Sequence, residues 1–287
     1  METSLIASLI ERFVSYLESQ DKSQYTIVAY KKDLEQFVGY LSSVEITDVR
    51  DVNKSVIEVF IQRLLTQNYT KKSASRKLNS IRTFFRYLKK EALIEQNPAL
   101  DVSHPKYSQT APRIFSKLEY RAIRDAAKDD SRTYAMIEIL LQTGVRIGEL
   151  TNIRISDVGE DTLTIRAAGK GEGRTVPLNK AVRKAIQEYL TARSAGDGED
   201  YLFITRTSRP LLIRNIRQII SGCFREVGIE NATINDFRNT FISHQLALGH
   251  PIDYIARVVG HRRLSSTERF LLPTTPPSSK KEQLEEL

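Results

Sequence analysis

The stretch Thr143-Gly144-Val145-Arg146-Ile147-Gly148-Glu149-Leu150 decides how the rest of the chain is read. Ahead of it, Tyr134 to Gln142 is strongly apolar and predicts a helix, and Gly144 is the residue type that ends a helix in the left-handed conformation. Arg146 then opens a second helix, with Glu149 three residues on along the same face, so that a carboxylate can aim the guanidinium. Alone, this is an ordinary intrahelical ion pair. Its weight comes from three clusters downstream. In Gly169-Lys170-Gly171, followed by Arg174-Thr175-Val176-Pro177-Leu178, a lysine stands at the tip of a flexible β-turn, although glycine with charge is also common hairpin-tip composition. In Asn235-Asp236-Phe237-Arg238-Asn239-Thr240-Phe241, Asn235 and Arg238 are one helical turn apart, and an amide beside a guanidinium suits a phosphate. Last come Gly260-His261 and Ser265-Ser266-Thr267-Glu268-Arg269-Phe270, in which a lone histidine is more often structural than catalytic.

Around these clusters the pattern is mostly helical. The β-prone runs Thr162–Ile165 and Arg174–Pro177 predict a small sheet. Helices are expected from the cap at Ser116, over Lys180–Ala195 and Ile213–Val227, and through Asp236–Leu248 and Ile252–Val259. Upstream, apolar residues recur at three- and four-residue steps from Ser4 to Leu41, broken at Asp21-Lys22-Ser23, and again over Lys54–Gln67 and Ser73–Glu91. Asn97-Pro98, Pro105 and Pro112 cannot continue a helix and separate the two regions. The 287 residues suffice for two cores. The expected organisation is a helical domain over 1–97, a linker over 98–113 and a mostly helical second domain over 114–273. A tail over 274–287 is either disordered or folds against a neighbouring subunit.

A formal net charge of +8 favours a polyanionic partner. Lys71, Lys72, Arg76, Lys77, Arg82, Arg86, Lys89 and Lys90 load one helix with almost no acid before Glu91, and phosphate contact is preferred here over a merely solvated face. Cys223 is the single cysteine, which excludes a disulfide framework or a thiolate zinc site within the chain. No basic leader and no stretch long enough to cross a bilayer stand in the sequence, so a cytoplasmic, nucleoid-associated place is expected, with no membrane.

Taken in order, these motifs resemble the tyrosine recombinase and phage integrase family, its Xer-like branch most of all. Ser23-Gln24-Tyr25-Thr26 through Tyr30 and Asp33-Leu34 looks like the family's first DNA-clamping helices, and Ser80-Ile81-Arg82-Thr83-Phe84-Phe85-Arg86-Tyr87-Leu88 like its last. The resemblance covers nearly the whole chain. It implies a mainly α fold with a small β-sheet: a helical core-binding, SAM-like DNA clamp followed by a tyrosine-recombinase catalytic domain. It also implies double-stranded DNA as partner, a tetramer on two DNA sites, and strand cleavage and rejoining through a 3′-phosphotyrosine, with neither metal nor other cofactor. By the same resemblance Arg146 and Arg238 clamp the scissile phosphate and Glu149 supports the first. Lys170 protonates the departing 5′-oxygen and His261 hydrogen-bonds the phosphate. DNA contacts are expected from Lys71, Lys72, Arg76, Lys77, Arg82 and Arg86.

Three positions depart from the family pattern. Asn235 stands where His or Lys is usual, and an amide cannot take up a proton near neutral pH. Asn239 replaces the common His after the second arginine. Phe270 occupies the nucleophile's position without the oxygen the reaction requires, so the chain is expected to bind but not cut. This suits either a Tyr→Phe form made to hold DNA uncut, which is the preferred reading, or a natural non-catalytic DNA-binding regulator. Tyr254 reads as a packed core aromatic, and Ser266 and Thr267 as helix caps rather than substitute nucleophiles.

Overall fold

The computed structural model describes residues 5–107, 110–167, 172–193, 200–205 and 207–271. The chain divides into two compact units, Met1–Gln109 and Thr110–Leu287. The first is built on helices α1 (Leu5–Ser19), α2 (Gln24–Ser43), α3 (Lys54–Thr66) and α4 (Lys71–Lys90). The side chains of Ser23, Asn53 and Thr70 accept the first free N–H groups of α2, α3 and α4, which fixes where each helix begins. Between the helices, Phe13 meets Phe84 edge-on at 5.4 Å and Phe37 meets Phe60 at 5.0 Å, within a core that buries Leu34, Leu78, Ile81 and Leu88.

Two features of this unit differ from the sequence reading. The cations of α4 are not left unpaired by the scarcity of acids on their own helix, because Asp33 arrives from α2. It is buried and accepts from Arg76, from Lys77 Nζ at 2.9 Å and from Ser80 Oγ at 2.8 Å. Lys77 is therefore enclosed, with only 7 % of its side chain exposed, and is not a surface cation for DNA. Arg82 is committed too, donating to the carbonyls of Ala99, Leu100 and Val102 and to His104 Nε2. With Ala99 and Val102 in the same core, the segment read as linker from residue 98 packs onto the first unit. Lys71, Lys72 and Arg86 remain exposed.

The second unit begins with α5 (Lys117–Ala126), α6 (Ser131–Thr143) and the short α7 (Ile147–Leu150). Strands β1 (Thr162–Ile165) and β2 (Arg174–Pro177) pair antiparallel, Thr162 opposite Pro177 and Ile165 opposite Arg174. Then follow α8 (Lys180–Ala192), α9 (Ile213–Glu226), α10 (Ile234–Ala247), α11 (Ile252–Val259) and α12 (Ser265–Glu268). Leu163, Ile165 and Val176 turn inward from the sheet. Helix α6 buries Ala135 to Leu141 without interruption, Glu138 included with Arg124 as its ion partner, and packs against α8 and α10. The unit's entering segment is fastened at Phe115, whose N–H donates to Thr240 Oγ1 of α10 and whose ring lies 5.1 Å from that of Phe237. The tail over 274–287 lies outside the described residues.

Candidate phosphate-binding site

Two glycines shape the site. Gly144 ends α6 at φ +63°, and a Cβ there would lie 2.6 Å from the Phe241 ring, so the backbone turns at a place where only glycine fits. Gly260 ends α11 at φ +67°. Helix ends leave carbonyls without intrahelical partners, and at the end of α11 these are taken by arginines. Arg174 Nε donates to Val258 O at 2.7 Å. Arg238 Nη2 donates to Val259 O at 2.6 Å while its Nη1 reaches Gly144 O at 2.5 Å. Arg146 Nη2 donates to Gly260 O at 2.8 Å, with a longer bond from Nη1 to Val259 O at 3.4 Å. The negative end of the helix dipole thus gathers three guanidiniums.

Among the described residues two of these three, Arg146 and Arg174, share one carboxylate. Glu149 Oε1 accepts from Arg146 Nη1 and Arg174 Nη1, and Oε2 from the Arg146 backbone N–H and Arg174 Nη2, all at 2.8 Å. Burial alone would raise the Glu149 carboxyl, but the Arg174 and Arg146 hydrogen bonds outweigh it and bring it down to about 2. Burial, and next the Arg146 charge, pull Arg238 down to about 9, which leaves it charged at neutral pH. Burial, followed by the Arg238 and Arg146 charges, pushes His261 down to about 4, so its imidazole is neutral at pH 7.

Sequence reasoning named Arg146, Glu149, Arg238 and His261, and the fold brings Arg146 and Arg238 onto the Val259 carbonyl at the end of α11, just before His261, with Glu149 bonded to Arg146. It missed Arg174, whose side chain only 13 % exposed marks it as interior. It also misread Thr267. That side chain is fully buried and does not cap a helix: its Oγ1 lies 2.7 Å from His261 Nδ1. The backbone N–H of Phe270 donates to Thr267 O at 3.0 Å, which ties the position expected to hold the nucleophile to His261 through one residue. The Phe270 ring is 9 % exposed within the core, with the Arg269 guanidinium 4.9 Å from its centroid. Asn235 is exposed on the first turn of α10, and Asn239 Nδ2 donates to Asp236 Oδ1 at 3.3 Å. Lys170 lies outside the described residues. Tyr254 is not the core aromatic expected: it is 38 % exposed, its ring 6.0 Å from that of His250.

Comparison with known proteins follows the same division. The Phage integrase family profile matches residues 107–274, and that of the Phage integrase N-terminal SAM-like domain matches residues 10–92. Tyrosine recombinase XerC of Anoxybacillus flavithermus is 29 % identical over 271 residues, 90 % of each chain. The XerC of Leptospira interrogans is 30 % identical over 273 residues, covering 91 % of this chain and 87 % of that protein. Among solved structures, XerA recombinase matches with a TM-score of 0.53 at 27 % identity, over 92 % of each chain. A lambda integrase tetramer bound to a Holliday junction shares the fold, with a TM-score of 0.78 at 16 % identity over 99 % of this chain and 82 % of that one. Matches run through both units, and the chain therefore belongs to the phage integrase family, beside the Xer-type tyrosine recombinases.

Proposed function

We propose that the second unit grips one DNA phosphate between Arg146, Arg238 and His261. The reaction this site is built for is DNA strand cleavage and rejoining through a 3′-phosphotyrosine, and this chain, with Phe270 at the nucleophile position, binds DNA without cutting it. The observation that carries the reading is the charge balance of the cluster. Arg146 and Arg174 bonded to Glu149, with Arg238 beside Arg146 on Val259 O, leave an excess of two positive charges among these four side chains in a partly buried cluster. A phosphodiester brings one negative charge and a pentacoordinate phosphorane two, so the pocket favours the transition state over the ground state.

The residues divide the work. Arg146, with 44 % of its side chain exposed, keeps N–H groups turned outward, while Arg238 supplies its charge from beneath. His261 Nδ1 is occupied by its contact with Thr267 Oγ1, which leaves Nε2 as the ring nitrogen that meets a phosphate oxygen, in the tautomer that carries its proton there. Lys170 is assigned the protonation of the departing 5′-oxygen by family resemblance. Asn235 can hydrogen-bond an oxygen but supplies no base. Phe270 keeps the volume of a tyrosine ring and lacks the hydroxyl that would attack phosphorus. The first unit acts as the clamp on double-stranded DNA through Lys71, Lys72 and Arg86, on the nucleoid, and four chains assemble on two sites.

Two altered positions, Asn235 and Phe270, favour a second reading, a regulator that occupies DNA by the same grip. A covalent-adduct assay on nicked duplexes selected for tight binding separates them. A denaturation-resistant protein–DNA band from the Phe270→Tyr form and none from the parent supports a recombinase silenced at one oxygen. No band from either, with binding intact, supports the regulator.

A further inference from the structure

We propose that Arg174 is a positioning residue of the phosphate clamp, acting through Glu149 to leave the Arg146 guanidinium an edge free for DNA; the inference rests on the phosphate-binding role given to the pocket above. Arg174 spends three of its five N–H groups, including Nε and both Nη edges that face Glu149, inside the protein. Its two Nη atoms make a parallel pair of bonds to the two Glu149 oxygens, and its Nε is used on Val258 O. Its side chain is 13 % exposed against 44 % for Arg146. The guanidinium also fills the space beside Gly260, where a Cβ would come within 3.0 Å of its Nη1.

The consequence falls on Arg146. Glu149 accepts four bonds, two of them from Arg174, and a carboxylate has about four acceptor positions in all. Arg146 therefore gives the carboxylate one side-chain nitrogen and keeps the rest for α11 and for solvent. Without Arg174 the buried carboxylate would have two vacant positions, and Arg146 is the cation in reach. A two-pronged grip by Glu149 would turn the outward edge of Arg146 inward. Arg174 also opens β2, four residues after Lys170 in the sequence, so the same side chain ties the outgoing strand of that hairpin to the end of α11.

The test uses the full chain and a duplex selected from a random pool for tight binding, with a neutral methylphosphonate placed in turn at each phosphate of the footprint. The phosphate held by the pocket is the one whose neutralisation no longer matters in Arg238→Ala. The affinity ratio of charged to neutral duplex at that phosphate reads guanidinium engagement alone. Arg174→Lys keeps a positive charge but cannot bridge two oxygens and a carbonyl in one plane. It is expected to shrink the ratio about tenfold, a mid-range coupling between touching side chains, with affinity for the neutral duplex unchanged. In a Glu149→Gln background the same substitution should leave the ratio where Glu149→Gln alone puts it. Equal losses on charged and neutral duplexes, or a loss undiminished without the Glu149 carboxylate, overturn the proposal. Should Arg174→Lys unfold, Arg174→Gln combined with Glu149→Gln removes the buried anion with its partner; a ratio equal to that of Glu149→Gln supports the proposal and a further fall overturns it. If no phosphate in the footprint depends on Arg238, the phosphate-binding reading itself fails and this inference with it, a result distinct from a normal ratio that Arg174→Lys leaves unmoved.

Discussion

In the first unit Asp33 takes Arg76 and Lys77 on its two oxygens, and Arg82 is absorbed by three carbonyls of the segment that follows its helix. In the second unit Arg146 and Arg174 share Glu149, and with Arg238 they lean for the rest on the carbonyls of Val258, Val259 and Gly260. Both regions hold clustered cations with one carboxylate and a set of carbonyls, but the charge left over differs, since Asp33 offsets one of its two cations and Glu149 one of three in its cluster. A carboxylate fixes a cation and cancels its charge; a carbonyl fixes it and leaves the charge in place. The Asp33 cluster is therefore an anchor, whereas the α11 cluster is a rigid surplus of positive charge for an anion to meet.

Removing the anchor acid should have the largest effect. Asp33→Ala leaves the enclosed Lys77 ammonium without its carboxylate, and urea denaturation should show a loss of roughly 3–5 kcal/mol. Adding Lys77→Met should recover much of it. A small loss from Asp33→Ala would break the comparison, since Lys77 would then be as free as the sequence alone suggests. Next, Arg238→Ala should weaken binding to a selected duplex roughly 10- to 100-fold at fixed salt, the range of a hydrogen bond to a charged group. Single Ala variants of Lys71, Lys72 and Arg86 should each flatten the logarithmic salt dependence of binding by about 0.9. They should change stability by no more than about 0.5 kcal/mol. Lys77→Ala should do the reverse, costing stability first.

The smallest effect is a pH dependence. His261 is held at about 4 against an ordinary 6.5, so the unfolded chain takes up this proton first as pH falls. Stability should decline between about pH 6.5 and pH 4, and below about 4.5 it should decline further as Glu149, held near 2, loses its advantage over the unfolded carboxyl. Thermal melts across pH should show the upper part of this decline vanish in His261→Gln. A decline unchanged by that substitution would mean that burial and the arginine charges do not hold the imidazole neutral.

What the sequence makes legible here is what local pattern controls. The bounds of β1, β2 and α11 can be read from alternation, from helical spacing and from the glycine that closes α11. The family resemblance likewise picks out Arg146, Glu149, Arg238 and His261 by motif and order. What escapes is set by distant chain. Asp33 meets Lys77 across 44 residues, so α4 looks unpaired when only its own neighbours are counted. Prolines from residue 98 onward rule out helix in the segment read as linker, yet say nothing of Ala99 and Val102 being buried in the same core as α4. Arg174 looks like a strand residue with a charge, and Thr267 like a cap, because their partners Glu149 and His261 become neighbours only in the folded unit.

Helix α11 also bears on how such a site can drift. What it contributes to the arginines is three main-chain oxygens in consecutive positions, and none of its side chains supplies those contacts. Substitution at outward positions such as Asp253, Tyr254 or Arg257 leaves those oxygens where they are, whereas deleting one residue rotates the helix end by about 100° and moves all three together. The site is encoded there by length rather than by spelling, and a deletion within Ile252–Val259 would disarm it more completely than the loss of any one of its arginines.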